Sequence, residues 1–126
     1  MNAGEAVRQA LLGALRADAR LAGIGTEGGG EQLPSLRVDP PQVTDWGTKD
    51  ARGREVRTSI GLRVADGQAA RLPDLVAAAE AAGERLGGTL NGWRVASAVL
   101  LRSASFAPDP RTRAALIEHR VRILEI

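Results

Sequence analysis

Few side chains in this chain could do chemistry. His119 is the sole histidine and there is no cysteine. A Ser-His-Asp relay could therefore use only His119. It lies between Glu118 and Arg120, on the same strand parity as Ile117 and Val121, where a lone histidine reads as a core residue. The lack of cysteine removes thiolate zinc sites, cysteine nucleophiles and a disulfide framework together. Asp39, Asp45 and Asp50 are near one another in sequence, as are Asp66 and Asp74, but none has the spacing of a metal-binding loop. No pair of carboxylates can be assigned to acid–base work. The expectation is a protein without catalytic residues, metal or cofactor.

The remaining chemistry is that of charge. Of 17 basic residues, Lys49 is the only lysine, so the rest are arginines that stay charged at any ordinary pH. The net charge is only +2 because 15 carboxylates are interspersed, although the pI is about 10.3. High pI is thus weak evidence for nucleic acid. Trp46, Trp93 and Phe106 are the only aromatics, too few for a base-stacking platform.

Two arginine-bearing groups stand out. Arg57, Arg63, Arg120 and Arg122 occupy the polar parity of two strands, beside Glu55 and Glu118. That face reads as an ordinary solvated surface with weak ion pairs, as a subunit interface, or as a wall facing DNA phosphates. The second group is Asp45, Trp46, Lys49, Arg52 and Arg54 on a polar, glycine-containing hairpin. Tryptophan and arginine dominate interface hot spots, so this segment is the candidate partner contact. Trp93, behind Asn91-Gly92, reads as core.

These groups must be positioned by a small set of elements. Val7, Leu11, Ala14, Leu15 and Leu21 follow helical spacing, predicting a helix over 4–22, with Asn2 and Glu5 as a capping box and Gly23 as its C-cap. Residues 25–32 are glycine-rich but lack the Gly-Lys-Ser/Thr ending of a phosphate loop, and read as a connection. Residues 33–46 predict a strand interrupted by Pro40-Pro41, which belong at an edge or bulge. The hairpin from Gly47 to Arg54 is expected to have a long, mobile tip.

Residues 55–64 alternate cleanly and predict a strand. Residues 72–86 predict a second helix, with Pro73 in its first turn and Gly87-Gly88 past its end. Leu72, Leu75, Val76, Ala79, Ala82 and Leu86 form its buried stripe. Two strands follow. Trp93, Val95, Val99 and Leu101 share one parity of the first, with Arg94 and Arg102 on the other. In the second, Ile117, Val121 and Ile123 oppose Glu118, Arg120, Arg122 and Leu124. The expected architecture is α+β: one domain over 1–126, order α-β-β-α-β-β, with two helices on one face of a mostly antiparallel sheet. No apolar run is long enough to span a membrane and no signal peptide is evident, so a soluble, unexported protein is expected.

This layout resembles the tail-completion or tail-terminator family of long-tailed phages and gene transfer agents. The resemblance rests on the amphipathic opening Val7–Leu21, on Leu33-Pro34 before the first strand, and on the alanine-rich second helix. It rests further on Leu90-Asn91-Gly92-Trp93-Arg94-Val95 and on a closing strand where arginines alternate with apolar residues, Glu118–Glu125. This chain departs from the family in having Ser35 after Leu-Pro and Leu62 and Val64 where strand aromatics are common.

The resemblance implies a structural virion protein that forms a ring, commonly a hexamer, at the head-proximal end of the tail tube. Such a ring stops tube polymerisation and joins the tail to the head connector. Its partners would be copies of itself, the tail tube protein and the connector, with DNA passing through the lumen without specific binding and no membrane involved. Its place would be the virion tail, and the host cytoplasm during assembly. The alternatives are another head–tail joining adaptor or a non-enzymatic DNA-binding protein.

Overall fold

In the computed structural model, which describes residues 1–25 and 32–126, the chain forms two α-helices and six strands. Helix α1 spans Ala3–Ala17. The Asn2 side chain accepts the Glu5 backbone N–H at 2.8 Å, which satisfies one of the donors left open at a helix start. The other half of the expected capping box is absent, because the Glu5 carboxylate accepts instead from Gln9 Nε2 at 3.1 Å. The helix stops before the predicted Ala22. Asp18 adopts extended backbone and its carboxylate accepts the Arg20 N–H, an Asx-type turn that competes with the helical ladder. Leu21 still reaches the core from the following turn.

The strands are β1 Ser35–Val38, β2 Gln42–Asp45, β3 Gly53–Ala65, β4 Thr89–Leu90, β5 Trp93–Asp109 and β6 Thr112–Glu125. They form one sheet in the order β1-β3-β6-β5-β4, with β2 pairing the same side of β3 as β1. All named pairings are antiparallel. Pro40 and Pro41 lie in the gap between β1 and β2. One predicted strand is thus two short edge strands, as the missing N–H groups require. The architecture is the expected α+β.

Helix α2, Leu72–Glu84, follows a turn of 3-10 helix at Asp66–Arg71. Both helices cover the same sheet face. There Leu11, Leu15, Ile60, Leu62, Leu75, Ala79 and Ile117 form the main core, continued by Val7, Val56, Val121 and Ile123. Burial of each large aliphatic side chain stabilises the fold by about 1.5–3 kcal/mol. On α2, Ala78, Ala79, Ala82 and Gly83 are buried, whereas Val76, and Leu86 just past the helix end, are only partly so. These small residues let the helix approach the sheet closely, as its alanine content predicts.

His119 fills the space that Gly83 leaves. It is fully buried, and its Nε2 lies 3.0 Å from the Glu80 carbonyl oxygen, which can only accept. The proton therefore sits on Nε2. A Cβ on Gly83 would collide with that nitrogen, so the glycine is required by the contact. Burial holds the His119 pKa below the ordinary histidine value, against the opposing pull of the Glu80 backbone bond and the Glu84 and Glu80 carboxylates. The histidine is a core residue, as its parity predicts.

The predicted parity of β5 is corrected. Register shifts at Val95/Ser97 and Leu100/Arg102 insert Ala96 and Leu101 as unpaired residues. Each such insertion flips every later side chain to the opposite face. Val95 and Leu100 therefore face the helices, while Val99, opposite Arg120, and Arg102, opposite Glu118, share the other face. Leu101, expected beside Val99, is an exposed bulge residue. The glycine-rich connection expected at 25–32 lies mostly outside the described residues.

Candidate functional site

The sheet face away from the helices is built by the polar parity of β3 and β6. Arg57 stands opposite Arg120, and Glu55 opposite Arg122. Three like charges on two adjacent strands would repel, and Glu55 relieves this. Its carboxylate lies 3.0 Å from Arg122 Nε, 3.6 Å from Arg57 Nε and 4.0 Å from Arg120 Nε. The Arg122 hydrogen bond, more than the charges of Arg57 and Arg120, holds the Glu55 pKa below the usual carboxylate range. Glu118 similarly pairs with Arg102 of β5.

Arg63 stands apart at the far end of β3. It lies 3.6 Å from Asp109 and donates to Thr112 Oγ1 at 3.4 Å, so it closes over the β5–β6 turn. The structure therefore brings Arg57, Arg120 and Arg122 together around one carboxylate and leaves Arg63 to a separate turn. Arg37 and Arg102, which the sequence reading did not place in the group, join this face. The Arg37 guanidinium lies over Gly61, where a Cβ would come within 2.8 Å of its Cζ.

The hairpin residues divide between surfaces. The Trp46 ring folds back onto the open face, with the Arg122 guanidinium 5.2 Å from its centroid, a cation–π contact. Trp46 N–H donates to the Gly53 carbonyl at 3.0 Å and Thr48 N–H to the Ala51 carbonyl at 2.8 Å. Hydrogen bonds thus continue the hairpin almost to its end, and only Lys49 and Asp50 form the tip, a shorter one than the composition implies. Arg54 sits on the helix-side parity and pairs with Asp45 at 3.2 Å. Lys49 and Arg52 are exposed. Gly53 is needed here, because a Cβ would meet the Trp46 carbonyl oxygen at 2.7 Å.

A second feature was not anticipated. β5 forms one border of the sheet, and among the described residues its outer side is paired only near its start, by β4 at Trp93 and Arg94 and by the Gly88 carbonyl at Val95 N–H. From Leu101 to Pro110 every residue is exposed, including Leu101 at 39% and Phe106 at 52%. The signal was present in the sequence as Ser103–Pro108, an uncharged run at the end of a strand. Natural sheet edges are usually guarded by charge.

Chemically this surface can bind and pair. No group of three or more metal-ligating side chains comes together among the described residues. No helix there is long and apolar enough to cross a membrane.

With that geometry established, likeness to known proteins is informative. No family model and no curated protein matches the sequence. Among solved structures the chain is similar to a chain in the virion of a native gene transfer agent particle. The TM-score is 0.76 at 21% identity, over 98% of this chain and 99% of that one. The two share a fold from end to end.

Proposed function

We propose that this protein is a structural virion component that caps the head-proximal end of a tail tube as a ring and joins it to the head connector. The observation that carries the reading is the end-to-end likeness to a chain of a gene transfer agent virion, which leaves almost no part of either chain unmatched. The surface agrees with it. An open arginine-bearing face and an unguarded strand edge suit association.

The capping mechanism is geometric. A ring seated on the last layer of tube subunits occupies the surface where the next layer would dock. It presents a different surface to the connector, so elongation stops and joining begins. Within this reading Trp46, Lys49 and Arg52 contact neighbours, while Asp45 and Arg54 brace the hairpin through their mutual ion pair. Arg57, Arg120 and Arg122 line a ring interface or the lumen. Free DNA binding is disfavoured, because Arg57, Arg120 and Arg122 share Glu55, Arg102 pairs with Glu118, and Arg63 pairs with Asp109.

Deleting the gene in a particle-producing strain tests the reading. Loss of control over tail length, with unjoined heads and tails, is the expected phenotype. Normal particles lacking the protein would sink the proposal.

A further inference from the structure

Deepening the ring reading and resting on it, we infer that the outer edge of β5 pairs with the β2 edge of a second copy of this chain. The copies would then associate head to tail into one continuous antiparallel sheet.

Four observations carry this. The first is the difference between the two sheet borders. On β1, Asp39 N–H donates to the Ser59 carbonyl, so the alternate residues Leu36 and Val38 point their backbone groups outward. One outward group of each is already engaged: Leu36 N–H donates to the Gly25 carbonyl at 3.0 Å, and the Val38 carbonyl accepts from Arg8 Nη2 at 3.4 Å. Pro40 and Pro41 then lack N–H groups altogether. That leaves β2, Gln42–Asp45, exposed at every residue, as the open part of that border among the described residues.

Second is strand direction. The path β2-β3-β6-β5 alternates at each step, so β2 and β5 run in opposite senses. A neighbour in the same orientation therefore presents its β2 antiparallel to this β5. Every copy can repeat the contact without inversion, the requirement for a heterologous interface that closes into a ring.

Charge is the third. From Trp93 to Pro108 the β5 edge carries Arg94, and Arg102 paired with Glu118 of β6, and has no acid of its own. From Asp39 to Asp50 the opposite border carries Asp39, Asp45 and Asp50 against Lys49, with Arg37 paired to Asp39 and Arg54 to Asp45. Head-to-tail pairing joins unlike edges, whereas a two-fold β5–β5 contact would join like ones.

The fourth is apolar surface. Val43 is 42% exposed on β2, and Leu101 and Phe106 are exposed on β5. A strand-on-strand contact would cover them.

Because the native chain lacks cysteine, introduced thiols report contacts cleanly. Thr44→Cys and Ala104→Cys both lie on the open face, since Thr44 faces Glu55 and Ala104 faces Leu116. They are at opposite borders and cannot meet within one chain. The double variant, concentrated and treated with a short bis-maleimide, should yield a ladder of covalent multimers ending at one fixed size, the ring's subunit count. Adding Ser105→Asp and Phe106→Asp, which place acids against an acidic edge, should reduce the ladder at least about tenfold, equivalent to roughly 1.4 kcal/mol.

Three results would overturn the inference: no ladder at any concentration, a ladder unaffected by the added acids, or dimers alone from Ala104→Cys by itself. Tube capping is measured separately. A ladder without capping removes the terminator reading and leaves the edge contact standing; capping without a ladder does the reverse.

Discussion

At the residue scale, one histidine and two glycines test how this core is closed. Gly83→Ala forces a methyl group against His119, and overpacking of this kind costs about 1–3 kcal/mol. Urea denaturation should show that loss. His119→Ala in the same chain should recover part of it, giving a non-additive pair. His119 also makes stability depend on pH. Its folded-state pKa is lowered, so below the unfolded value of about 6.5 the unfolded chain binds the proton first. Stability should therefore fall as pH drops from about 6.5 toward the lower folded value. His119→Leu should flatten that slope in acid titrations followed by circular dichroism; an unchanged slope would contradict the account. Gly53→Ala should open the hairpin next to Trp46, read as a shift in Trp46 fluorescence measured in a Trp93→Phe background.

At the element scale, β3 and β5 show what a sequence can and cannot reveal. β3 is unbroken, so Val56, Thr58, Ile60, Leu62 and Val64 alternate in sequence as they do in space. β5 is rich in alanine, serine and aliphatics and has three register shifts against β6, and nothing in such a run marks where they fall. Simple alternation thus puts Val99 and Leu101 in the wrong surroundings. The Trp46–Arg122 contact and the sharing of Glu55 by three arginines join distant segments, which periodicity does not reach. The membership of Arg57, Arg120 and Arg122 in one face was legible, because each alternates with core residues. The bulge makes a specific prediction: Leu101→Ser should change stability by less than about 0.5 kcal/mol, being exposed. Ile117→Ala, fully buried opposite Ile60, should cost about 2–5 kcal/mol. Comparable losses from the two would contradict the assigned register.

At the scale of the whole molecule, fold class and helix placement were legible because both helices and the β3 and β6 strands carry strong period. The association surface was only half legible. The arginine face was visible in the sequence, but the importance of an edge depends on which strand is outermost, and topology alone decides that. Glu55 offers a test of how the face is used. Glu55→Gln removes the carboxylate shared by Arg57, Arg120 and Arg122, and should raise salt-sensitive binding to duplex DNA above that of the native chain. If the native chain already binds DNA as tightly, the arginines serve nucleic acid directly and the assembly reading loses its basis. The central claim is tested most directly by negative-stain imaging of the purified protein added to growing tubes of its cognate tail-tube protein. The account predicts a ring at one end of each tube and arrest of growth there. Tubes that lengthen unchanged, with no density at either end, would contradict it.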